Sequence, residues 1–236
     1  MNILENLLQD IFEARNILVL TGSGISVECG LPTFRGENGL WDEKIVQEVA
    51  TLDGFYDDPK RAWKWYNNRI IESSKILPGL GHTALKKISS KKNLTVATQN
   101  IDGLHHMAGT EALEIHGNLR EILCTNCNYK NTLTNPLEEK YIKHECGGYI
   151  RPNIVFFGEA LAEKAWYEAS KKSFEADLII AVGTSGIVYP AITLLTPRKP
   201  RINVYGIDPN ETMLPPWTKI IKTTAAEALT KIASSL

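Results

Sequence analysis

The chain has 236 residues, 43% of them hydrophobic, enough to bury the core of one large domain or of a domain carrying an insertion. Its 26 Lys and Arg balance 27 Asp and Glu, so bulk charge directs it neither to nucleic acid nor to an anionic membrane. No apolar run approaches the roughly 18 residues of a membrane span, and the first ten residues lack the basic and apolar pattern of a secretory signal. Three of the four cysteines fall between positions 124 and 146, which suits a metal site in a reducing, cytoplasmic setting better than a disulfide framework.

Ile3, Leu4, Leu7, Leu8, Ile11 and Phe12 recur at helical spacing and predict an amphipathic helix beside the first strand. That strand is Ile17 to Leu20, four aliphatics in a row, as in a sheet covered on both faces. It opens into T-G-S-G-I-S-V-E-C-G-L-P-T-F-R, Thr21 to Arg35. Gly22 and Gly24 lack the Cβ atoms that would keep backbone N–H groups from a pyrophosphate, so a dinucleotide phosphate loop is expected here. The ordinary fingerprint has a third glycine where this chain has Val27, and Gly30, Pro32 and Gly36 interrupt the long helix that would follow. The segment therefore reads as a loop that folds over a cofactor, which weakens a plain dehydrogenase reading.

Trp41 to Ile76 is rich in charge and aromatics, with a helix over Ala62 to Ile71 and Pro59 in a first helical turn. After the Pro78–Gly81 break come a helix, His82 to Ile88, and a strand, Asn93 to Thr98, ending in T-Q-N-I-D-G. Polar residues at the carboxyl edge of a parallel sheet are where open α/β folds bind ligands. A short strand, Leu113 to Ile115, delivers His116-Gly117 to the same edge. An imidazole beside Asn100 and Asp102 is the company that acid-base chemistry requires.

Cys124-x-x-Cys127 and His144-Glu145-Cys146, separated by 16 residues, have the spacing of a zinc ribbon. The second cluster is H-x-C, so His144 is the expected fourth ligand, and four protein ligands make such a site structural. Then follow an apolar strand, Ile154 to Glu159, a helix, Ala162 to Phe174, and a strand, Asp177 to Val182, that runs into Gly183-Thr184-Ser185-Gly186. This repeats the opening design. Arg201 to Ile207 is a last strand, ending in Asp208-Pro209-Asn210, and Thr224 to Ile232 a closing helix. The alternation predicts an α/β fold, a Rossmann-like doubly wound parallel sheet with a smaller inserted zinc-ribbon and helical domain. Residues 1–36, 77–118 and 152–236 form the first domain; 37–76 and 119–151 form the second.

With these motifs in order, G-S-G-I-S with G-L-P-T-F-R-G, T-Q-N-I-D, H-G, the cysteine module, I-R-P-N-I-V-F-F-G-E and G-T-S-G-I-V-Y-P, the sequence resembles the sirtuin (Sir2) family of NAD-dependent protein deacylases over essentially its whole length. The resemblance implies that NAD and an acyl-lysine peptide meet in the cleft between a Rossmann domain and a zinc-bearing small domain. The acyl oxygen attacks the ribose carbon that bears nicotinamide; His116 is then the general base on a ribose hydroxyl, and lysine and O-acyl-ADP-ribose are released. It implies catalytic roles for His116 and Asn100. Gly22, Ser23, Gly24, Ser26, Phe34, Arg35, Gln99, Asn100, Ile101, Asp102, Gly183, Thr184, Ser185 and Asp208 become cofactor-binding. The peptide is implied to add as a strand between Gly158-Glu159 and Gly186-Ile187-Val188, with Val155 and Phe157 along the lysine tunnel. Cys124, Cys127, His144 and Cys146 hold zinc.

Tyr66 and Arg69 in W-Y-N-N-R share a helix face. They resemble the Tyr-x-x-Arg pair of the subgroup that accepts succinyl- and malonyl-lysine, where a guanidinium holds the acyl carboxylate. Acylated chromatin proteins or metabolic enzymes are the implied substrates, with no membrane and no direct nucleic-acid partner. The competing readings are an NAD-dependent dehydrogenase and a nucleic-acid-binding zinc ribbon on a Rossmann scaffold.

Overall fold

The computed structural model describes residues 2–33, 43–200 and 202–236. Asn2 and Glu5 close a reciprocal capping box on α1 (Ile3–Glu13), satisfying two amides that a helix N-terminus leaves without partners. The chain turns into β1 (Ile17–Thr21), whose five residues are all buried. The glycine-rich stretch is a 3-10 helix, Ser23–Cys29, ended by Gly30 in the left-handed conformation at φ 87°. The helical segment after residue 42 has three parts: α2 (Glu43–Val49), α3 (Leu52–Asp57) and α4 (Pro59–Ser73). Asp58 caps α4 and Pro59 opens it, where its missing N–H costs nothing. Next come α5 (Leu80–Ser89), β2 (Leu94–Thr98), the single turn α6 (Leu104–Met107), β3 (Ala112–Glu114), β4 (Gly117–Cys124), β5 (Lys130–Thr132) and β6 (Ile150–Ile154). The chain closes with α7 (Glu163–Glu175), β7 (Leu178–Val182), β8 (Asn203–Ile207), β9 (Thr218–Ile221) and α8 (Ala225–Ser235).

Six strands form one parallel sheet in the order β3-β2-β1-β7-β8-β9. The strand sequence reverses between β1 and β7, and a crevice at the carboxyl edge of such a switch point is where doubly wound sheets bind ligands. Alternate residues of each strand feed opposite faces. Val19, Val96, Ile180 and Tyr205 pack with Leu7, Ile11, Leu85, Ile88, Leu229 and Ile232 from α1, α5 and α8. Leu18, Leu20, Ala97 and Ile179 pack with Ala169 of α7 and with Ala191, Leu194 and Leu195.

A second, three-stranded sheet, β5-β4-β6, is antiparallel. Its core draws on Phe55, Trp63, Tyr66 and Ile70 from α3 and α4 and on Leu119, Ile122, Ile142, Ile150, Ile154 and Phe156. Polar ties fix α4 to this sheet: Trp63 Nε1 donates to the Ile150 carbonyl at 2.6 Å, and the Asn67 amide exchanges two 2.8 Å hydrogen bonds with the backbone of Leu137. The sequence edges at 118/119 and 151/152 fall inside β4 and β6, both strands of the small sheet.

The apolar run at 154–159 differs from the expected strand. Pairing ends at Ile154, because β6 belongs to the antiparallel sheet and takes up the polar Arg151-Pro152-Asn153. The residues beyond leave the ladder: Val155 N–H donates to the His116 carbonyl (2.9 Å) and Phe157 N–H to the Ala50 carbonyl (2.8 Å). β5 and β9 escape the hydrophobic pattern because the first is three fully exposed residues and the second alternates too briefly.

Candidate active site at the carboxyl edge of the parallel sheet

In-register pairing places Thr21, Thr98, Glu114, Val182 and Ile207 at the ends of adjacent strands. The loops that follow each strand therefore leave one edge together. The loops after β1 and β7 meet by direct contact of glycines. Gly22 N–H donates to the Val182 carbonyl (3.0 Å) and Gly24 N–H to the Gly183 carbonyl (2.8 Å). A Cβ on Gly22 would stand 2.6 Å from the Gly183 oxygen, and one on Gly24 2.6 Å from the Gly183 Cα. The Gly22 and Gly24 amides are bonded to the loop after β7, and their missing side chains let the two loops touch. Gly183 itself sits at φ 60°.

The loop after β2 completes the pocket. Ser26 Oγ donates to Asp102 Oδ2 (2.8 Å), and Asn100 Nδ2 donates to the Gly22 carbonyl (3.1 Å) and to Ser26 Oγ (3.3 Å). Asn100 is only 8% exposed, so a carboxamide is fixed at the strand edge with its position set by two groups. Asp102 Oδ1 also accepts the N–H of Leu104, the first residue of α6. Gln99 Nε2 donates to Thr184 Oγ1 (3.0 Å), joining the β2 and β7 loops across the switch point. Ser185 lies beside it, its carbonyl accepting the Met213 N–H, and the Ile101 carbonyl accepts the Leu119 N–H, tying this loop to β4. Asp208, 8% exposed, leaves the end of β8 with its pKa raised by burial, partly offset by the Asn210 amide. An acidic group there can take a ribose hydroxyl, so donors, carboxylates and close-packed glycine loops fit a dinucleotide.

His116 Nδ1–H donates to the Gln99 carbonyl at 3.0 Å. That bond fixes the tautomer and leaves Nε2 as the basic nitrogen. Burial pushes the His116 pKa down, against a smaller upward pull from the Gln99 carbonyl, so the imidazole is neutral and able to accept a proton near neutral pH. Gly117 follows at φ 80°, and a Cβ there would lie 2.0 Å from the Asn153 oxygen.

The Sir2 family pattern matches residues 22–190, more than half of the chain. The chain belongs to the Sir2 family. An NAD-dependent protein deacylase of Aquifex aeolicus is 43% identical over 88% of each chain, and NAD-dependent protein deacylase 1 of Archaeoglobus fulgidus is 36% identical over 90% of this chain and 89% of that one. Among solved structures, a Sir2 homolog–NAD complex is 34% identical with TM-score 0.90, covering 99% of this chain and 94% of its own. A Sir2 complex with a deacetylated p53 peptide and 3′-O-acetyl-ADP-ribose is 30% identical, TM-score 0.87, over 98% of both chains.

In this Sir2 protein the metal ligands also converge. Donor atoms of Cys124, Cys127, His144 and Cys146 lie within 4.8 Å of one another. Cys124 and Cys146 sulfurs are 3.4 Å apart, and His144 Nδ1 is 3.3 Å from Cys146 Sγ and 3.6 Å from Cys127 Sγ. Zinc with Zn–S bonds of about 2.3 Å spans tetrahedral sulfurs about 3.8 Å apart, so this set fits with small adjustments and keeps no open position. Gly148 makes room for it: a Cβ would stand 2.7 Å from Cys124 Sγ.

The remaining site residues divide. Phe34 and Arg35, with Gly36 of the expected cover over the cofactor, lie outside the described residues; Ser23 opens the 3-10 helix. Phe157 is 42% exposed and Gly158, at φ 88°, is also exposed, while Val155 and Val188 are half-buried. Glu159 is half-buried: its carboxylate meets Arg151 at 2.7 and 2.8 Å and accepts the Phe156 N–H at 2.7 Å. Tyr66 is 1% exposed, stacked on Phe156, with its hydroxyl donating to the Val49 carbonyl. Arg69 reaches Glu72 at 3.1 Å and lies over the Trp65 ring.

Sequence reasoning missed a polar layer beneath Asn100. Thr21 Oγ1 donates to Thr98 Oγ1 (2.8 Å) and stands 2.9 Å from His105 Nε2, whose ring meets His82 edge-on at 4.9 Å. Burial, then His82 and His106, push the His105 pKa to about 3, so it stays neutral. The available signal was two threonines, each closing an otherwise apolar strand.

Proposed function

We propose that the protein is an NAD-dependent protein-lysine deacylase that releases nicotinamide and transfers the acyl group to ADP-ribose. One observation supports this above the others: Gln99 holds Nδ1–H of His116 and leaves Nε2 basic beside the Asn100–Asp102 pocket. Bound NAD supplies the ribose carbon and hydroxyls; this chain supplies the rest. Asn100 and Asp102, braced by Ser26, orient the carboxamide and ribose through paired donors and acceptors. His116 Nε2 accepts the proton of a ribose hydroxyl. A pocket closed by touching glycine loops excludes the water that would hydrolyse the glycosidic carbon.

The zinc set would hold the small module together as a structural site. Its thiolate-rich ligands suit a reducing cytoplasm, and none of the described helices is long and apolar enough to cross a membrane. Substrates are acyl-lysine segments of proteins, chromatin-associated or metabolic. Acyl chains ending in a carboxylate are favoured by Arg69, whose Nε is buried with no hydrogen-bond partner and so can take one acceptor oxygen. Tyr66, its hydroxyl given to Val49, shapes that pocket rather than donating to the acyl group.

NAD plus acetyl- and succinyl-lysine peptides should give free nicotinamide and O-acyl-ADP-ribose in equal amounts. NADH as the only nucleotide product would overturn the reading in favour of a dehydrogenase.

A further inference from the structure

The segment Ile154–Glu159 carries no regular secondary structure past Ile154, yet it is pinned repeatedly by one ion pair. Arg151 is 7% exposed, and its guanidinium makes two parallel bonds to the Glu159 carboxylate. The same guanidinium donates to the Ile154 carbonyl (2.8 Å) and lies 3.9 Å over the Phe156 ring. The carboxylate in turn accepts the Phe156 N–H. Burial raises the Glu159 pKa, but hydrogen bonds from Arg151 and the Phe156 amide outweigh it and hold the carboxyl below its usual range, so the pair is ionic.

The clasped segment touches three parts of the proposed site. Val155 N–H is bonded to the carbonyl of His116. Phe156 stacks on Tyr66 at 6.3 Å and 20°. Phe157 N–H is bonded to the carbonyl of Ala50, and a parallel bridge joins it to Thr51, next to the Val49 carbonyl that takes the Tyr66 hydroxyl. Between these anchors Phe157 and Gly158 face outward. A bidentate, mostly buried fork restrains such a strip more firmly than its few backbone bonds alone.

We propose that Arg151 and Glu159 are a positioning pair that sets the distance between the base His116 and the aromatic floor at Tyr66, and so governs binding of the acyl-lysine chain. The inference rests on the deacylase reading above. Neither residue touches the reacting atoms; both act through Val155 and Phe156.

The test uses the full chain with zinc bound, in three forms: Arg151→Lys, Glu159→Gln, and Arg151→Met with Glu159→Gln. The single changes leave a buried charge without its full partner and lower the melting temperature. The double change removes both charges, keeps an oxygen for the Phe156 N–H and keeps an apolar stem on the Phe156 ring. The expected result is a double variant melting close to wild type whose KM for acyl-lysine peptide stays raised by about tenfold, the loss expected for binding energy removed without chemistry, while KM for NAD is unchanged. Amide hydrogen exchange at Val155 and Phe157 should quicken in the same variant, a readout that holds even if wild type proves inactive on the chosen peptides. Recovery of peptide KM along with melting temperature, parallel changes in both KM values, or unchanged exchange at these amides would each overturn the proposal. An inactive wild type with faster exchange in the variant would instead sink the deacylase reading alone.

Discussion

The parallel sheet buries all five residues of β1 and all five of β7 between helices on both faces, whereas the small sheet leaves all three residues of β5 exposed. The first is held by apolar burial repeated on two faces. The second relies on a cluster of large rings, Phe55, Trp63, Tyr66 and Phe156, and on a three-cysteine, one-histidine set at its far end. Aromatic packing and metal ligation substitute for layers that the short strands cannot build. The two regions also divide the chemistry. On the proposed reading the sheet edge carries the base and the nucleotide-facing groups, and the small module with its connecting segment carries the groups that face the acyl chain.

Metal removal should break this comparison most sharply. Zinc ligation contributes on the order of 10 kcal/mol to small modules of this kind. A chelator should therefore unfold the small module, abolish acyl-peptide binding and leave a separate, higher melting transition for the parallel sheet; His144→Ala should weaken metal retention in the same direction. A single unshifted transition after chelation, or full metal content in the variant, would remove the metal from the stability argument. Next in size is His116→Ala, which should lower acyl transfer by about a hundredfold to ten-thousandfold, the range of a lost general base, with an unchanged melting temperature. In the parent protein the rate should rise with pH as the imidazole loses its proton. Because burial lowers that pKa, the midpoint of the acid limb should lie below that of an ordinary histidine, and a midpoint above it would remove His116 as the base. The smallest effect is Arg69→Met. It should raise KM for succinyl-lysine by about tenfold, as expected for one lost charged hydrogen-bonding group, while leaving acetyl-lysine nearly unchanged; equal effects would dismiss the carboxylate pocket.

In the parallel sheet β1 and β7 were legible because uninterrupted aliphatic runs have few other uses in a chain of this charge, whereas the short β9 was not. The longer helices were legible because their apolar positions recur at 3.6 residues and the caps Asn2, Asp58 and Thr224 are explicit, whereas the short α2, α3 and α6 were not. The metal set was legible in spacing alone. The same hydrophobicity signal misled at 154–159, where an apolar run is a clasped loop, because periodicity registers burial and not the partner that provides it.

The sequence by itself determined the alternation of strands and helices, the zinc ligands and the motif order that marks the Sir2 family, since each depends on residues close in the chain or on fixed residue types. Only the tertiary structure decided what those residues do to one another. Gly22 and Gly24 are small because Gly183, about 160 residues away, leaves no room for a Cβ. His116 is basic at Nε2 because a carbonyl in the loop after β2 accepts a hydrogen bond from Nδ1–H and so holds that proton there. Glu159 turns inward because Arg151, eight residues earlier, is buried and needs a counter-charge. Contacts across the switch point and across the two sheets carry no local signature, so composition and spacing could nominate these residues but not their partners.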